Sequence, residues 1–295
     1  MKSKVNLHIH TKYSDGDKTV PEVVSKLNDA GIEYFAITDH DNVDGSFEAT
    51  KYAEEYNMKY FNGIELTCRF LNGEISPDDL CGCHILGLGI KIDEIQKRLK
   101  ELNENKCIKV QKLFKLLVDN GYNLDSANID STFKSIIKEL MAKGYAQDRN
   151  DCKTRILCKA PYRQYYIPNM GVQMAIETIK ECGGLAIWAH PFKVPDSGRR
   201  EGLNNEQVSE LLDRLHEYGL DGIEVYYQHF TVEQIRFLES LADSKKLFKS
   251  ISTDYHKVRN GVEDEIFFDV EGIIPDETII AILESRMENK KNALL

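Results

Sequence analysis

The chain has 295 residues and is 42% hydrophobic, which is enough for a sizeable core in one large domain or in a domain with an insertion. Its 48 acidic residues outnumber 38 basic ones, and the formal net charge of −10 argues against broad electrostatic binding to duplex nucleic acid or to an anionic membrane. No apolar run approaches the roughly 20 residues that cross a bilayer. Seven cysteines without a repeated spacing are typical of reduced thiols, so we expect a cytoplasmic protein.

The first predicted strand, over residues 4–10, carries two histidines on one face. Apolar and polar residues alternate along it, and residues two apart on a strand point the same way. His8 and His10 therefore project together, as they would to bind one metal ion. Because this strand begins near the N-terminus, we expect no signal peptide ahead of it.

Further metal-ligand types follow at the next strand end. Asp15 lies in the turn after the first strand, and a strand predicted over 33–38 ends at Asp39 and His40. Imidazoles and carboxylates at successive strand ends are typical of a metal site.

Strands and helices alternate in this part of the chain. Helices are predicted over 19–31, with a capping box at its start, and over 46–56. Further strands are predicted over 59–65 and 84–89. The alternation predicts parallel strands joined by crossover helices, and the polar clusters follow strands, which is the catalytic face of an α/β barrel.

The alternation stops at residue 93. A long amphipathic helix is predicted over 93–120 and a second helix over 130–143, followed by a polar, aromatic stretch. We therefore expect 93–168 to be a helical insertion, or lid, over the mouth of a barrel formed by 1–92 and 169–295. Ordinary barrel helices with long loops are the alternative.

The strand–helix pattern then resumes and brings further ligands. The predicted elements are 172–182, 185–191, 205–217, 222–226, 232–244 and 248–253. One strand ends at His190, and the last leads into Asp254 and His256, again two residues apart. Residues 266–268 and 278–283 are expected to pack under the barrel.

Short motifs recur at these strand ends across nearly the whole chain. They are His8-Ile9-His10-Thr11, Ser14-Asp15-Gly16, Ile37-Thr38-Asp39-His40-Asp41, Asn62-Gly63-Ile64-Glu65, His84-Ile85-Leu86-Gly87, Ala189-His190-Pro191, Gly222-Ile223-Glu224-Val225 and Thr253-Asp254-Tyr255-His256. In this order they resemble the PHP family, the polymerase and histidinol phosphatase metallohydrolases. The helical insertion is similar to that of the stand-alone members that act on nucleoside phosphates.

The resemblance implies an α/β fold, a distorted (β/α)7 TIM-like barrel, with two or three divalent metal ions. The first ion would bind His8, His10, Glu65 and Asp254. The second would bind Asp15, His40 and His256. A third would use Glu65 as a bridge with His84 and His190, although His84 alone could instead be a core histidine. Nitrogen and oxygen ligands suit manganese, zinc or iron.

The resemblance also implies a reaction, hydrolysis of a phosphate monoester by attack of a metal-bound hydroxide on phosphorus. Divalent ions would outweigh the site carboxylates and favour an anionic substrate. Asp39 is expected to act by orienting an imidazole rather than as a ligand. His229 and Glu224 are candidates near the site.

The substrate contacts depart from those of the nucleoside-phosphate members. These have Arg and His in the lid, where Phe133 and Ser135 stand here, and tend to have Arg where Lys193 stands. Lys cannot reproduce the bidentate bonding of Arg to phosphate. The candidate substrate-binding residues are Lys193, Arg155, Arg163 and Lys134.

A phosphatase acting on small nucleotides, nucleoside mono- or bisphosphates, is the leading hypothesis. A 5′–3′ exonuclease on short oligonucleotides is an alternative that needs a longer groove. A histidinol-phosphate phosphatase is a second alternative, against which the insertion argues. A non-catalytic, metal-stabilised binding module should have lost ligands, and none is missing. The sequence leaves the oligomeric state open.

Overall fold

The computed structural model describes residues 2–70, 82–130, 132–166, 170–193, 202–256, 258–259 and 262–292. In this described part the chain separates into two compact units, Met1–Gln96 with Gly171–Leu295, and Lys97–Met170. We call them the barrel unit and the insertion unit. The insertion expected over 93–168 stays a prediction, and its residues 131, 167 and 168 lie outside the described ranges.

The structure has alternating strands and helices along most of the chain. The strands are β1 (Val5–Asn6), β2 (Tyr34–Phe35), β3 (Lys59–Tyr60), β4 (Gly63–Arg69), β5 (Gly82–Leu88), β6 (Met170–Gly171), β7 (Leu185–Trp188), β8 (Gly222–Tyr227), β9 (Phe248–Ser252), β10 (Val258–Arg259) and β11 (Val262–Glu263). The helices are α1 (Val20–Asp29), α2 (Gly45–Glu55), α3 (Ile92–Asp119), α4 (Phe133–Ala142), α5 (Arg149–Asp151), α6 (Val172–Glu181), α7 (Asn205–Glu217), α8 (Val232–Lys245) and α9 (Thr278–Asn292).

Two sheets close into a distorted barrel. β1, β2 and β3 form a parallel sheet in that order, and a second sheet contains β4, β5, β7, β8 and β9 in order. Parallel bridges join the sheets at both edges, one between Ile9 and Tyr255 and the other between His40 and Glu65. β3 and β4 act as one interrupted strand, so the predicted distorted α/β barrel is confirmed.

One strand runs against the predicted direction. β5 pairs antiparallel with both β4 and β7, whereas the alternation predicted parallel strands. A parallel return needs a crossover connection, usually a helix. The segment between β4 and β5 contains Gly73 and Pro77 and has no amphipathic helical pattern. Most of that segment, 71–81, lies outside the described residues.

The first helix shows how local sequence signals set the elements. The backbone N–H of Thr19 donates to Oε2 of Glu22 at 2.7 Å, which closes the predicted capping box. Gly31, after the end of α1, has a left-handed φ of 79°. The buried face of α1 packs into the core beside β2. Each fully buried valine or leucine on that face contributes about 1.5–3 kcal/mol of hydrophobic stabilisation.

The C-terminal segment packs against the barrel, as expected. Ile266 and Phe268 are buried, and so is Leu283 in α9. The backbone N–H of Ser3 donates to the carbonyl of Phe268 at 2.9 Å, and Nδ2 of Asn6 donates to that of Ile266 at 3.0 Å. These bonds attach the segment beside β1.

The insertion unit has a hydrophobic core of its own. α3 and α4 contribute much of it, with the stretch that follows α4. Its buried members include Val110, Leu113, Leu117, Phe133, Ile136, Leu140, Ile156, Tyr162 and Tyr166. None of the described helices is both long enough and apolar enough to span a membrane. The role of this unit as a lid stays a prediction.

Candidate metal centre

The chain leaves β1 in an extended conformation that points two histidines to one side. His8 and His10 are fully buried, and their Nε2 atoms lie 3.0 Å apart. Ile9, between them, points into the hydrophobic core. The period of the strand therefore places the two imidazoles together, as predicted.

Glu65 of β4 lies beside both rings. Its buried Oε2 is 3.2 Å from His8 Nε2 and 3.0 Å from His10 Nε2. The same oxygen is 3.2 Å from Nδ1 of His40, which follows β2. A single carboxylate oxygen thus faces imidazoles from two separate strand ends.

The other oxygen of Glu65 faces two further imidazoles. Oε1 lies 2.9 Å from His84 Nδ1 and 3.3 Å from His190 Nε2. Within the described residues, Glu65 Oε2, His84 Nδ1 and His190 Nδ1 are buried without a hydrogen-bond partner. Buried polar atoms normally have partners. The unsatisfied atoms of Glu65 and His84 belong to neighbouring side chains, and potential ligand atoms left without partners in this way fit the requirements of bound cations.

The segment after β9 adds a carboxylate and an imidazole. Asp254 Oδ1 lies 3.3 Å from His8 Nε2 and 3.4 Å from His10 Nε2. Nδ1 of His256 lies 2.7 Å from the carbonyl oxygen of Asp254 and can donate to it. The lone pair of His256 is then on Nε2, which faces Asp15 Oδ1 at 3.3 Å.

Among the described residues, three groups have potential ligand atoms that all lie within 4.8 Å of one another. They are His8, His10, Glu65 and Asp254; His10, Asp15, His40 and His256; and His40, Glu65 and His84. The first is the predicted first ligand set, and the second adds His10 to the predicted one. The third contains His40 where His190 was expected, although His190 also contacts Glu65.

Electrostatics keep the carboxylates of the cluster ionised. Burial disfavours the charged form of Glu65, but the surrounding imidazoles outweigh burial and hold the pKa of the carboxyl well below its usual range. The same balance lowers the pKa of Asp254. Burial also opposes charge on His10, but the adjacent carboxylates of Asp254 and Glu65 outweigh it and raise the pKa of His10 to about 9. At His40 burial dominates and lowers the pKa to about 4. The anionic carboxylates are suited to a cation.

Asp39 supports the loop that follows His10. Its carboxylate accepts from the N–H and Oγ1 of Thr11, both at 2.7 Å, and from Oγ of Ser14 at 2.5 Å. Ser14 Oγ in turn lies 3.4 Å from His10 Nδ1. Asp39 therefore contacts the imidazole of His10 only indirectly, through Ser14. The sequence had led us to expect that Asp39 orients an imidazole directly.

Glu224 is more closely integrated into the site than the sequence indicated. It is fully buried in β8, with Oε1 2.8 Å from His8 Nδ1 and Oε2 accepting from the backbone N–H of His190 at 2.6 Å. In the sequence, Glu224 stood out as an acidic residue in an otherwise apolar strand. That pattern indicated a position near the site but not the contacts that Glu224 makes there.

Two other predicted residues lie beside the cluster. Lys193 Nζ is 3.1 Å from Asp254 Oδ2 and also donates to the hydroxyl of Tyr227. His229 is exposed, and its ring centroid is 5.3 Å from that of Tyr227. Tyr227 itself was not anticipated. Burial and the neighbouring Asp254 raise the pKa of its hydroxyl well above the usual range.

The other predicted substrate contacts belong to the insertion unit. Lys134 and Arg163 are exposed there. Arg155 is engaged with Asp151, whose two carboxylate oxygens accept from its Nε and its guanidinium nitrogen, each at 2.8 Å. Lys193 is therefore the predicted substrate contact that lies against the cluster.

The positions that depart from the family pattern are structural in this chain. Phe133 is buried in the core of the insertion unit, edge-to-face with Tyr166 at 5.3 Å between centroids. Ser135 is buried as well, and its hydroxyl donates to the carbonyl of Thr132 at 2.8 Å. Both side chains therefore serve the packing of α4.

Comparison with known proteins shows what the chain is similar to. The PHP domain family matches residues 6–166. A 5′-3′ exoribonuclease of Haemophilus influenzae is 27% identical over 264 residues, covering 87% of this chain and 91% of the relative. A 3′,5′-nucleoside bisphosphate phosphatase of Chromobacterium violaceum is 24% identical over 279 residues, covering 89% and 90%.

A solved structure supports the fold. It is that of an amidohydrolase from Chromobacterium violaceum with bound sulfate and no metal, and it superposes with a TM-score of 0.63 at 22% identity, covering 96% of this chain and 97% of the other. The family match spans more than half of the chain and includes the ligand-bearing strand ends from His8 to His84. The chain therefore belongs to the PHP domain family and is an enzyme of the metal-dependent phosphoesterase class.

Proposed function

We propose that the enzyme is a phosphatase that hydrolyses the phosphate monoesters of small nucleotides, nucleoside mono- or bisphosphates. The observation that carries the proposal is the buried Glu65, whose two oxygens face imidazoles from several strand ends. Such a cluster can hold more than one cation close together, and paired cations can stabilise both the attacking and the leaving oxygen when a phosphate ester is cleaved. The bisphosphate phosphatase among the relatives supports nucleotides as the substrate class.

Manganese, zinc or iron ions would occupy the cluster, in two or three positions. The ligands would be His8, His10, Asp15, His40, Glu65, His84, His190, Asp254 and His256. When bound, these ions would supply Lewis-acid activation of water and of the phosphoryl group. The nitrogen and oxygen donors suit these metals.

Other residues of this chain would bind and orient the substrate. Lys193, next to Asp254, would act as a point charge for a phosphate oxygen, and Tyr227 would hold its ammonium group. The insertion, 93–168, would act as a lid, with exposed Lys134 and Arg163 available to the substrate. Arg155 is the weaker candidate because Asp151 already pairs with its guanidinium group.

The test is phosphate release by protein that has been stripped of metal and reloaded with Mn²⁺, Zn²⁺ or Fe²⁺. The substrate panel contains nucleoside monophosphates, 3′,5′-bisphosphates, sugar phosphates and histidinol phosphate. His10→Ala and Asp254→Ala should lower turnover about a thousandfold or more, because metal activation supplies several kcal/mol. His216→Ala, at an exposed position of α7, is the matched control. Full activity in both site variants would rule the proposal out.

A 5′–3′ exonuclease is a second candidate because the Haemophilus influenzae relative is named an exoribonuclease. It needs to hold more than one nucleotide. A 5′-phosphorylated RNA of a few nucleotides distinguishes the two activities. Release of mononucleotides would favour the exonuclease, whereas release of phosphate alone favours the phosphatase.

The proposed location is the cytoplasm. Seven cysteines without a repeated spacing suit a compartment where thiols stay reduced. Alkylation of thiols in freshly lysed cells tests this, since reduced cysteines would be labelled without prior reduction.

A further inference from the structure

Glu224 is a buried carboxylate with two separate duties. Its neighbours in β8, Ile223 and Val225, are fully buried apolar residues, and Glu224 itself is 0% exposed. Burying a carboxylate is costly unless it is paired and hydrogen-bonded. Each of its oxygens has one such partner, His8 Nδ1 at 2.8 Å for Oε1 and the backbone N–H of His190 at 2.6 Å for Oε2.

The first contact determines which nitrogen of His8 is available. An ionised carboxylate only accepts, so Nδ1 of His8 carries the proton and the lone pair of the neutral ring is on Nε2. That nitrogen faces Glu65 Oε2 at 3.2 Å and Asp254 Oδ1 at 3.3 Å. The tautomer fixed by Glu224 is the one that can bind a cation in the group with these carboxylates.

The second contact fixes the backbone of another candidate ligand. His190 has a φ of 31°, in the left-handed region that residues other than glycine rarely adopt. Such a conformation costs on the order of 1–3 kcal/mol and persists only where its surroundings hold it. The bond from its N–H to Glu224 does so, while Nε2 of His190 faces Glu65 Oε1 at 3.3 Å.

We propose that Glu224 is a positioning residue that sets the tautomer of His8 and the backbone of His190 together, and so links two neighbouring metal positions. The inference rests on the proposed metal-dependent function of the cluster. It goes beyond the ligand assignment because Glu224 belongs to none of the three groups of potential ligands found among the described residues. One side chain would serve ligands that follow different strands, β1 and β7.

Glu224→Gln is the informative substitution because it keeps the shape and cannot satisfy both contacts. If its amide oxygen accepts from His190, its amide nitrogen must donate to His8 Nδ1. The lone pair of His8 is then on the wrong nitrogen, and Nε2 carries the proton. If the amide is reversed, its N–H groups oppose the N–H of His190. Either orientation impairs one candidate ligand.

The experiment measures metal binding directly, without relying on activity. Titration calorimetry and metal analysis with Zn²⁺ and Mn²⁺ compare the wild type, Glu224→Gln and Glu224→Asp. The expected result is an affinity loss of about 10- to 100-fold in Glu224→Gln, the usual effect of removing a partner of a metal-binding histidine. Ring ¹⁵N spectra of the zinc-loaded protein should show His8 protonated at Nδ1 in the wild type and this signal lost in the variant.

Glu139→Gln is the matched control for replacing a buried carboxylate. Glu139 in α4 is 4% exposed and accepts from the N–H of Asp125 and from Nδ2 of Asn128. The Glu139→Gln variant should keep wild-type metal affinity. Wild-type metal affinity and an unchanged His8 spectrum in folded Glu224→Gln would overturn the proposal. Metal loss in that variant supports it even if the wild type releases no phosphate from any substrate, an outcome that would overturn the proposed phosphatase alone.

Discussion

The rings of His10 and His256 stack with their centroids 3.9 Å apart and their planes 20° from parallel. One follows the first strand of the barrel and the other follows β9. The same region is joined by backbone hydrogen bonds, since the N–H of His10 donates to the carbonyl of Tyr255 at 2.8 Å. The candidate centre therefore lies where the two ends of the barrel meet.

Metal removal is expected to lower the stability of the barrel unit. Cations that bind only the folded protein stabilise it by about 4 kcal/mol when present at 1,000 times their dissociation constant. A chelator should therefore lower the melting temperature in differential scanning calorimetry. In His10→Ala the shift caused by the chelator should be much smaller. A chelator shift of equal size in both proteins would place the stabilising ions elsewhere.

Lys193→Met should weaken substrate binding. The ammonium of Lys193 lies 3.1 Å from Asp254 Oδ2, and its side chain is 46% exposed. Loss of this charge should raise the KM for a phosphomonoester about tenfold, since a charged hydrogen bond is worth about 1.5–3 kcal/mol. Lys180 is a matched control because it is 43% exposed and lies 3.0 Å from Asp221 Oδ1. Equal KM values for Lys193→Met and Lys180→Met would show that Lys193 does not bind the substrate.

Asp39→Asn should disturb the loop after His10. The amide can still accept from Thr11, but it loses one of the acceptor oxygens that serve Thr11 and Ser14. We expect a loss of about 1–3 kcal/mol in unfolding free energy. We also expect about tenfold weaker binding of one metal ion, measured by calorimetry. Ser14→Ala should weaken metal binding to a similar extent, with a smaller loss of unfolding free energy. An unchanged metal affinity in both variants would confine Asp39 to a structural role.

An arginine at position 133, as in the nucleoside-phosphate members of the family, should destabilise this chain rather than improve its activity. Phe133 is 4% exposed in the core of the insertion unit, so Phe133→Arg would bury an unpaired charge or disrupt α4. The expected destabilisation is about 3–5 kcal/mol, as for other large changes in a core. Limited proteolysis should cut the insertion unit faster. Gln111→Arg, which adds the same charge at an exposed position of α3, should not. A stable Phe133→Arg with improved turnover would show that position 133 can serve the substrate.

Glu263 should give the barrel unit part of its acid sensitivity. Hydrogen bonds from Lys26 and Tyr255 lower the pKa of its carboxyl to about 2. A depressed pKa contributes stability that is present above the unfolded value of 4.5 and is lost as the pH falls toward 2. Glu263→Gln should be less stable than the wild type at pH 7 by up to about 1 kcal/mol, because the pair is partly exposed. In urea unfolding, the difference in unfolding free energy between the wild type and Glu263→Gln should shrink below pH 4.5. A constant difference from pH 7 to 2 would show that Glu263 is not a source of the acid sensitivity.

Features set by local sequence could be predicted from the chain. α7 has the predicted bounds, 205–217, and the capping box of α1 forms as its spacing indicated. The pairing of His8 with His10 follows from the period of a strand. These depend on residues within a few positions of one another, where backbone geometry alone sets the outcome.

Features that depend on distant partners could not be predicted in the same way. The direction of β5 follows from its pairing with β4 and β7, not from its own residues. Glu224 and His8 are 216 residues apart, and only the closed barrel brings the carboxylate to Nδ1. The place of His40 beside Glu65 likewise comes from a bridge between two sheets.

The distribution of the ligands along the chain has a consequence for biosynthesis. Asp254 is made 254 − 10 = 244 residues after His10. At roughly 5–20 residues per second, on the order of tens of seconds separate them. During that interval the first histidines cannot acquire the partners that complete their cation site. Completion of the cation site is therefore expected to follow synthesis of Asp254 and His256, and a chelator added when these residues emerge should block it as well as one present throughout synthesis.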